Sequence, residues 1–153
     1  MTTTATEIIA RLQGKTVSTA ESLTGGMIGA ALTAVPGASA VYKGGVISYV
    51  NEIKENILGV SANTLNSYGA VSRQTALEMA VGVRKLMKTD FAVSVTGLAG
   101  PGGDEFGHEV GTVFIGFAGG NGDCVREYHF AGDRQAVRQQ TVLAALELIL
   151  ENV

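Results

Sequence analysis

Apolar positions recur at helical spacing in some segments and run almost unbroken in others, and the two patterns alternate along the chain. Ile8, Ile9 and Leu12 place a helix over residues 4–13, with Thr4 or Thr6 as its N-cap and Gly14 as its stop. Residues 16–20 read as a short strand. Small and apolar residues over 24–35 predict a helix able to pack closely through Gly29, Ala30, Ala31 and Ala34, ended by Pro36-Gly37. Residues 41–50 read as a strand with a bulge at Gly44-Gly45, followed by a short helix over 51–58 that Asn51 would cap. A further short helix fits 61–68, stopped at Gly69. Ser72 then caps an amphipathic helix to Lys88, with Ala76, Met79, Ala80, Val83 and Leu86 on one face.

The second half is richer in strands. Phe91 to Thr96 is an apolar run suited to a buried strand, and Gly97 to Gly111 is a glycine-rich loop. Strands over 112–118 and 124–130 flank the turn Gly119-Gly120-Asn121-Gly122, and Asp133 opens a final helix carrying Val137, Val142, Ala145, Leu146 and Ile149. The order α-β-α-β-α-α-α-β-β-β-α predicts an α/β protein: a three-layer α/β/α sandwich on a mixed sheet of about five strands. No internal repeat, linker or second domain is evident.

Composition narrows the function classes. The 153 residues are 46% hydrophobic and 16% charged, which suits one domain with a large buried core. The formal net charge is −3 and no Lys/Arg cluster occurs, so nucleic acid is not an expected partner. The single cysteine, Cys124, excludes an intrachain disulfide and a cysteine-based zinc site, and the cytoplasm is the expected compartment. The first residues lack a basic start and apolar core, so no signal peptide is expected, and no apolar run suggests a membrane span.

Candidate chemistry centres on Lys15 to Gly26, where a strand runs into a cluster of small polar residues and then a helix. Such a junction leaves backbone N–H groups unpaired, and Gly25 and Gly26 allow close approach of a ligand. Ser22 within it fits two roles, a helix N-cap shared with Thr24 or a nucleophile awaiting a base. Neither a Gly-x-Ser-x-Gly elbow nor a P-loop is present, since Ala20, Thr24 and Ile9 occupy the required glycine positions. Candidate bases are His108, in the glycine loop, and Lys54. His129 reads as structural. Tyr49 and Lys54 straddle the end of the second strand. In open α/β sheets ligands bind at the carboxyl ends of strands, where Ser22 and Tyr49 would sit. A lysine acting as base must be partly desolvated, its pKa falling from about 10.4 towards about 7–8. A solvated helix lysine is the alternative. The Gly97–Gly103 loop lacks a dinucleotide fingerprint and is either a phosphate cradle or a plain turn. Arg134 and Arg138 oppose the dipole of the last helix, so a carboxylate or a ligand phosphate is expected to engage them.

Four stretches together resemble the CinA C-terminal domain family, the nicotinamide mononucleotide (NMN) amidohydrolases. They are Thr19 to Gly26, Gly45 to Lys54, Thr96 to Gly103, and Gly132-Asp133-Arg134 with Val137-Arg138. The resemblance covers nearly the whole chain and matches the form not fused behind another nucleotide-processing domain. It implies hydrolysis of the NMN carboxamide to nicotinate mononucleotide and ammonia, with no metal or other cofactor. Ser22 is then the nucleophile, Lys54 the general base, and Tyr49 assists between them. Backbone N–H groups from Thr24 to Gly26 are the oxyanion-hole candidates. Glu21, Thr24, Gly25, Gly26, Asn51, Gly100, Gly102, Gly103, Arg134 and Arg138 are the expected substrate-binding residues, the last with the Gly100–Gly103 loop on the phosphate. A small-molecule nucleotide is the implied partner and a homodimer the implied assembly. A catalytically silent nucleotide-binding module is the competing function. The chain departs from the family pattern at Leu23, Val50 and Ile53, and its Asp104 to Glu109 loop is unusual.

Overall fold

The computed structural model describes residues 1–153. Five strands form one mixed sheet in the order β2-β1-β3-β4-β5: β1 Val17–Glu21, β2 Tyr42–Ile47, β3 Phe91–Gly97, β4 Thr112–Gly119 and β5 Cys124–His129. β1 pairs in parallel with both β2 and β3, while β4 and β5 add antiparallel. Six α-helices accompany them: α1 Thr2–Arg11, α2 Met27–Thr33, α3 Asn51–Asn56, α4 Ala62–Tyr68, α5 Arg73–Met87 and α6 Arg134–Asn152. The predicted three-layer α/β/α architecture is the one observed. No helix is long and apolar enough to cross a membrane.

Strand alternation sorts the core into two faces. Val17, Val93, Val95, Val113, Ile115 and Phe117 pack against α1, α2 and α6. Ala20 and Ala92 pack on the other side against Leu65 of α4 and Met79 and Val83 of α5. Small residues bring α5 close to the sheet: a Cβ on Gly116 would lie 2.6 Å from the Ala76 carbonyl oxygen. The same alternation sends Glu21 and Ser22 to opposite faces. α2 and α5 leave the parallel strands on opposite sides, so β1 is the point where connections diverge. Its carboxyl end is where an open α/β sheet forms its crevice.

Several boundaries differ from the sequence reading. α1 begins at Thr2 behind Met1, and Thr6 donates its hydroxyl to the Thr2 carbonyl, so neither Thr4 nor Thr6 caps it. The helix expected over 24–35 is confined to Met27–Thr33 because Gly25 (φ 58°) and Gly26 (φ 109°) adopt left-handed conformations that a helix excludes. The bulge falls at Lys43, one residue before the glycine pair: Val17 aligns with Tyr42 and Ser18 with Gly44. Val50, in extended conformation, precedes α3, and Asn51 is its first residue. Leu86 is 49% exposed, outside the buried stripe of α5. Ser61, Ser72 and Asp133 do cap α4, α5 and α6, accepting from Thr64, Thr75 and Ala136 amides.

Candidate active site

Ser22 stands one residue beyond β1, tied to the sheet by its amide, which donates to the Val95 carbonyl at 3.2 Å. Its side chain lies on the α5 face. Chain leaving β2 turns at Ser48 and Tyr49 into α3, whose first full turn carries Lys54 back beneath the strand ends. The result is a contact between Lys54 Nζ and Ser22 Oγ at 2.9 Å. Ser22 is 7% exposed and Lys54 only 1%.

Lys54 Nζ also lies 2.7 Å from the Ser48 carbonyl oxygen and 3.3 Å from that of Tyr49. No carboxylate pairs with it; the ion pairs of the chain lie elsewhere. Burial without a counter-ion disfavours the ammonium, and the pKa falls from 10.5 to about 8. Three acceptors match the three protons of the ammonium. When the amine is neutral, two N–H groups serve the carbonyls and the lone pair faces the Ser22 hydroxyl. The site is thus satisfied in both protonation states.

The turn after Ser22 redistributes the expected roles. Gly25 N–H donates to the Ser22 carbonyl (3.1 Å) and Gly26 N–H to Glu21 Oε1 (3.3 Å), so neither glycine amide is free. The Leu23 and Thr24 amides have no hydrogen-bond partner within the chain. Glu21 is not a cavity residue: its carboxylate, 2% exposed, accepts from the Thr24 hydroxyl (2.6 Å) and the Ile28 and Gly29 amides (2.9 and 3.0 Å) at the start of α2. Thr24, Gly25 and Gly26 likewise lie outside the cavity lining. Arg138 also lies outside it, donating from Nε to the Leu23 carbonyl (2.8 Å) and from Nη2 to that of Thr24 (3.5 Å). The cation expected on a phosphate instead fastens the turn after Ser22 to α6.

A cavity of about 370 Å³ opens over Ser22 and Lys54. Of the expected residues, Tyr49, Asn51, Gly100, Gly102 and Arg134 line it with them. Gly103 sits just outside, where a Cβ would lie 3.1 Å from the His108 carbonyl oxygen. The Tyr49 phenol is not between Ser22 and Lys54. It is 57% exposed and accepts from Arg134 Nη2 at 3.0 Å, while Arg134 Nη1 donates to the Gly100 carbonyl at 2.7 Å. Arg134 is therefore the one arginine at the cavity. His108 does not line it; its Nδ1 lies 2.8 Å from Asp104 Oδ2. His129, on β5, faces Glu127 at 2.7 Å. No group of three or more His, Cys, Asp or Glu side chains is placed to hold a metal ion.

Sequence reasoning missed two contributions. The Ser48 carbonyl is a backbone group, which no residue type announces. The apolar wall of Leu65, Val71 and Leu98 reads in sequence as ordinary core.

The model of the CinA C-terminal domain matches residues 1–153. A protein of Desulforamulus reducens, whose name describes it as competence-damage inducible, is 50% identical over 135 residues, covering 88% of this chain and 33% of that protein. A CinA-like protein of Thermotoga neapolitana is 46% identical over 144 residues, 92% of this chain and 35% of its own length. The chain thus spans about a third of the length of these curated relatives. Among solved structures, the competence/damage inducible protein CihA of Agrobacterium tumefaciens superposes with a TM-score of 0.94 at 43% identity, covering 98% of this chain and 93% of that one. A CinA superfamily protein of Escherichia coli gives 0.95 at 33% identity, covering 98% and 88%. The chain belongs to the CinA C-terminal domain family.

Proposed function

We propose that this chain is an amidohydrolase that converts the carboxamide of nicotinamide mononucleotide to a carboxylate through a Ser22 acyl-enzyme. The observation that carries the reading is the 2.9 Å contact between Ser22 Oγ and a buried lysine with no counter-ion. A serine hydroxyl attacks poorly unless a base takes its proton, and a desolvated lysine titrating at about 8 supplies a neutral amine near physiological pH.

Neutral Lys54 accepts the Ser22 proton as Oγ bonds to the amide carbon. The carbonyl π pair moves onto oxygen, where the Leu23 amide, unpaired within the chain and at the cavity lining, is the oxyanion donor. Collapse of this intermediate breaks the C–N bond. Lys54 returns its proton to the departing nitrogen, which leaves as ammonia. Water then attacks the Ser22 ester, with Lys54 again as base, and releases nicotinate mononucleotide. Arg134 has guanidinium protons beyond the two bonded to Gly100 and Tyr49, and it is the substrate phosphate ligand in this account. Arg138 holds the nucleophile turn.

The test is ammonia release from NMN by the purified chain. Release that disappears in Ser22→Ala supports the reading. No release from wild type, or full activity in Ser22→Ala, defeats it; saturable NMN binding without product would then favour a silent nucleotide-binding module.

A further inference from the structure

Part of the cavity wall is built from the unusual loop after Gly103. Asp104, Glu105 and Phe106 are consecutive and all line the cavity. The Asp104 carboxylate organises the loop. Oδ1 accepts from the Phe106 and His108 amides at 3.1 and 3.0 Å, and Oδ2 lies 2.8 Å from His108 Nδ1. Burial alone would raise the Asp104 pKa, but the hydrogen bonds from the His108 side chain and backbone outweigh it and hold the carboxyl below its ordinary value. Phe106 crosses to the turn between α4 and α5, where its ring packs on Gly69: a Cβ there would lie 2.6 Å from Cδ2 and Cε2. That position needs glycine twice over, because φ is 84° as well. The ring is 40% exposed, so it is not consumed by core packing.

This wall presents Phe106 beside the Glu105 carboxylate, the Asp104 oxygens being taken up within the loop, whereas the guanidinium of Arg134 is anchored elsewhere, to Tyr49 and Gly100. An anionic ligand alone would be poorly matched to Glu105. A zwitterion is well matched, with a cationic ring on the loop side and a phosphate toward Arg134. Aromatic faces attract cations, and the attraction grows as water is excluded.

We infer that Glu105 and Phe106, on a loop held by Asp104, select a substrate whose ring carries a positive charge, so that the loop reads the ring and Arg134 the phosphate. The inference rests on the amide-hydrolase reading for the choice of ligand. It is tested by binding to Ser22→Ala, which removes turnover, using NMN and its reduced form, whose ring is uncharged. NMN should bind about tenfold more tightly than the reduced form, and the ratio should fall to about twofold in Ser22→Ala/Glu105→Gln/Phe106→Leu. Retained affinity of the triple variant for the reduced form shows that the cavity is intact; loss of that affinity as well means the loop is scaffold only and overturns the inference. Equal affinities in Ser22→Ala, or a ratio unchanged in the triple variant, also overturn it. The hydrolase reading fails separately, by absence of ammonia from the chain with Ser22 intact. A tenfold ratio without any turnover would leave ring selection standing and remove the hydrolysis.

Discussion

Two buried charged groups flank the end of β1, and they are held by opposite means. Glu21 faces α2 and receives hydrogen bonds from three backbone amides and one hydroxyl. Lys54 faces the other side of the sheet and meets two carbonyls and one hydroxyl. Neither pairs with an opposite charge. The difference lies in what surrounds them. The amides at the start of α2 are fixed dipoles aimed at an anion, reinforced by the positive end of that helix. They hold the carboxylate in place, away from the cavity. The carbonyls around Lys54 satisfy its protons but do not offset its desolvation, which leaves the amine near its neutral form and beside a hydroxyl. Glu21 and Ser22, the residue that Lys54 contacts, are neighbours in the chain yet face opposite ways, as successive residues of a strand do.

The largest effects should come from breaking the Lys54 side. Lys54→Met and Ser22→Ala should each lower ammonia release from NMN by at least about a thousandfold. Lys54→Arg should be equally inactive, since a guanidinium does not yield its proton near neutral pH.

Next comes the stability cost of the buried lysine. Its folded pKa of about 8 lies below the unfolded 10.5, so the unfolded chain binds more protons between these values. The penalty is complete below pH 8 and is relieved as pH rises towards 10.5. The unfolding free energy of wild type relative to Lys54→Met should therefore rise by about 3 kcal/mol across that window in urea titrations.

Glu21→Gln sharpens the contrast. It keeps the shape but turns an amide donor towards one of the α2 N–H groups, and should cost about 2 kcal/mol by urea unfolding. It should leave the Lys54 titration in place. The smallest effect is expected at Arg138→Ala. Releasing the Leu23 and Thr24 carbonyls should reduce kcat about tenfold through lost positioning of Ser22. KM should change little, because Arg138 does not line the cavity.

Sequence patterning located these elements because burial enforces it. Val93, Val95, Ile115 and Phe117 must face the α1/α2/α6 layer, and the near-continuous apolar runs of β3 and β4 follow from cover on both faces. Ser22, Tyr49 and Lys54 were legible as a set only through the family pattern, since a serine before a helix is locally indistinguishable from a cap. What the sequence could not show was direction. Glu21, Thr24 and Gly26 adjoin Ser22 in sequence yet serve the start of α2, and the Gly25 amide turns back to the Ser22 carbonyl. Arg138 looked like a free cation because the carbonyls it binds are backbone groups more than a hundred residues away. Tyr49 supplies Lys54 with its carbonyl, while its phenol goes to Arg134.

The proposed chemistry requires Lys54 to lose its proton near pH 8 while buried against Ser22. Its most direct test is a side-chain NMR titration of the lysine Cε and Nζ resonances, with Lys54 assigned by its absence from Lys54→Met. A midpoint near 8 for that one lysine is the predicted result. A Lys54 midpoint near 10.4, the ordinary value of a solvated lysine, would contradict the account.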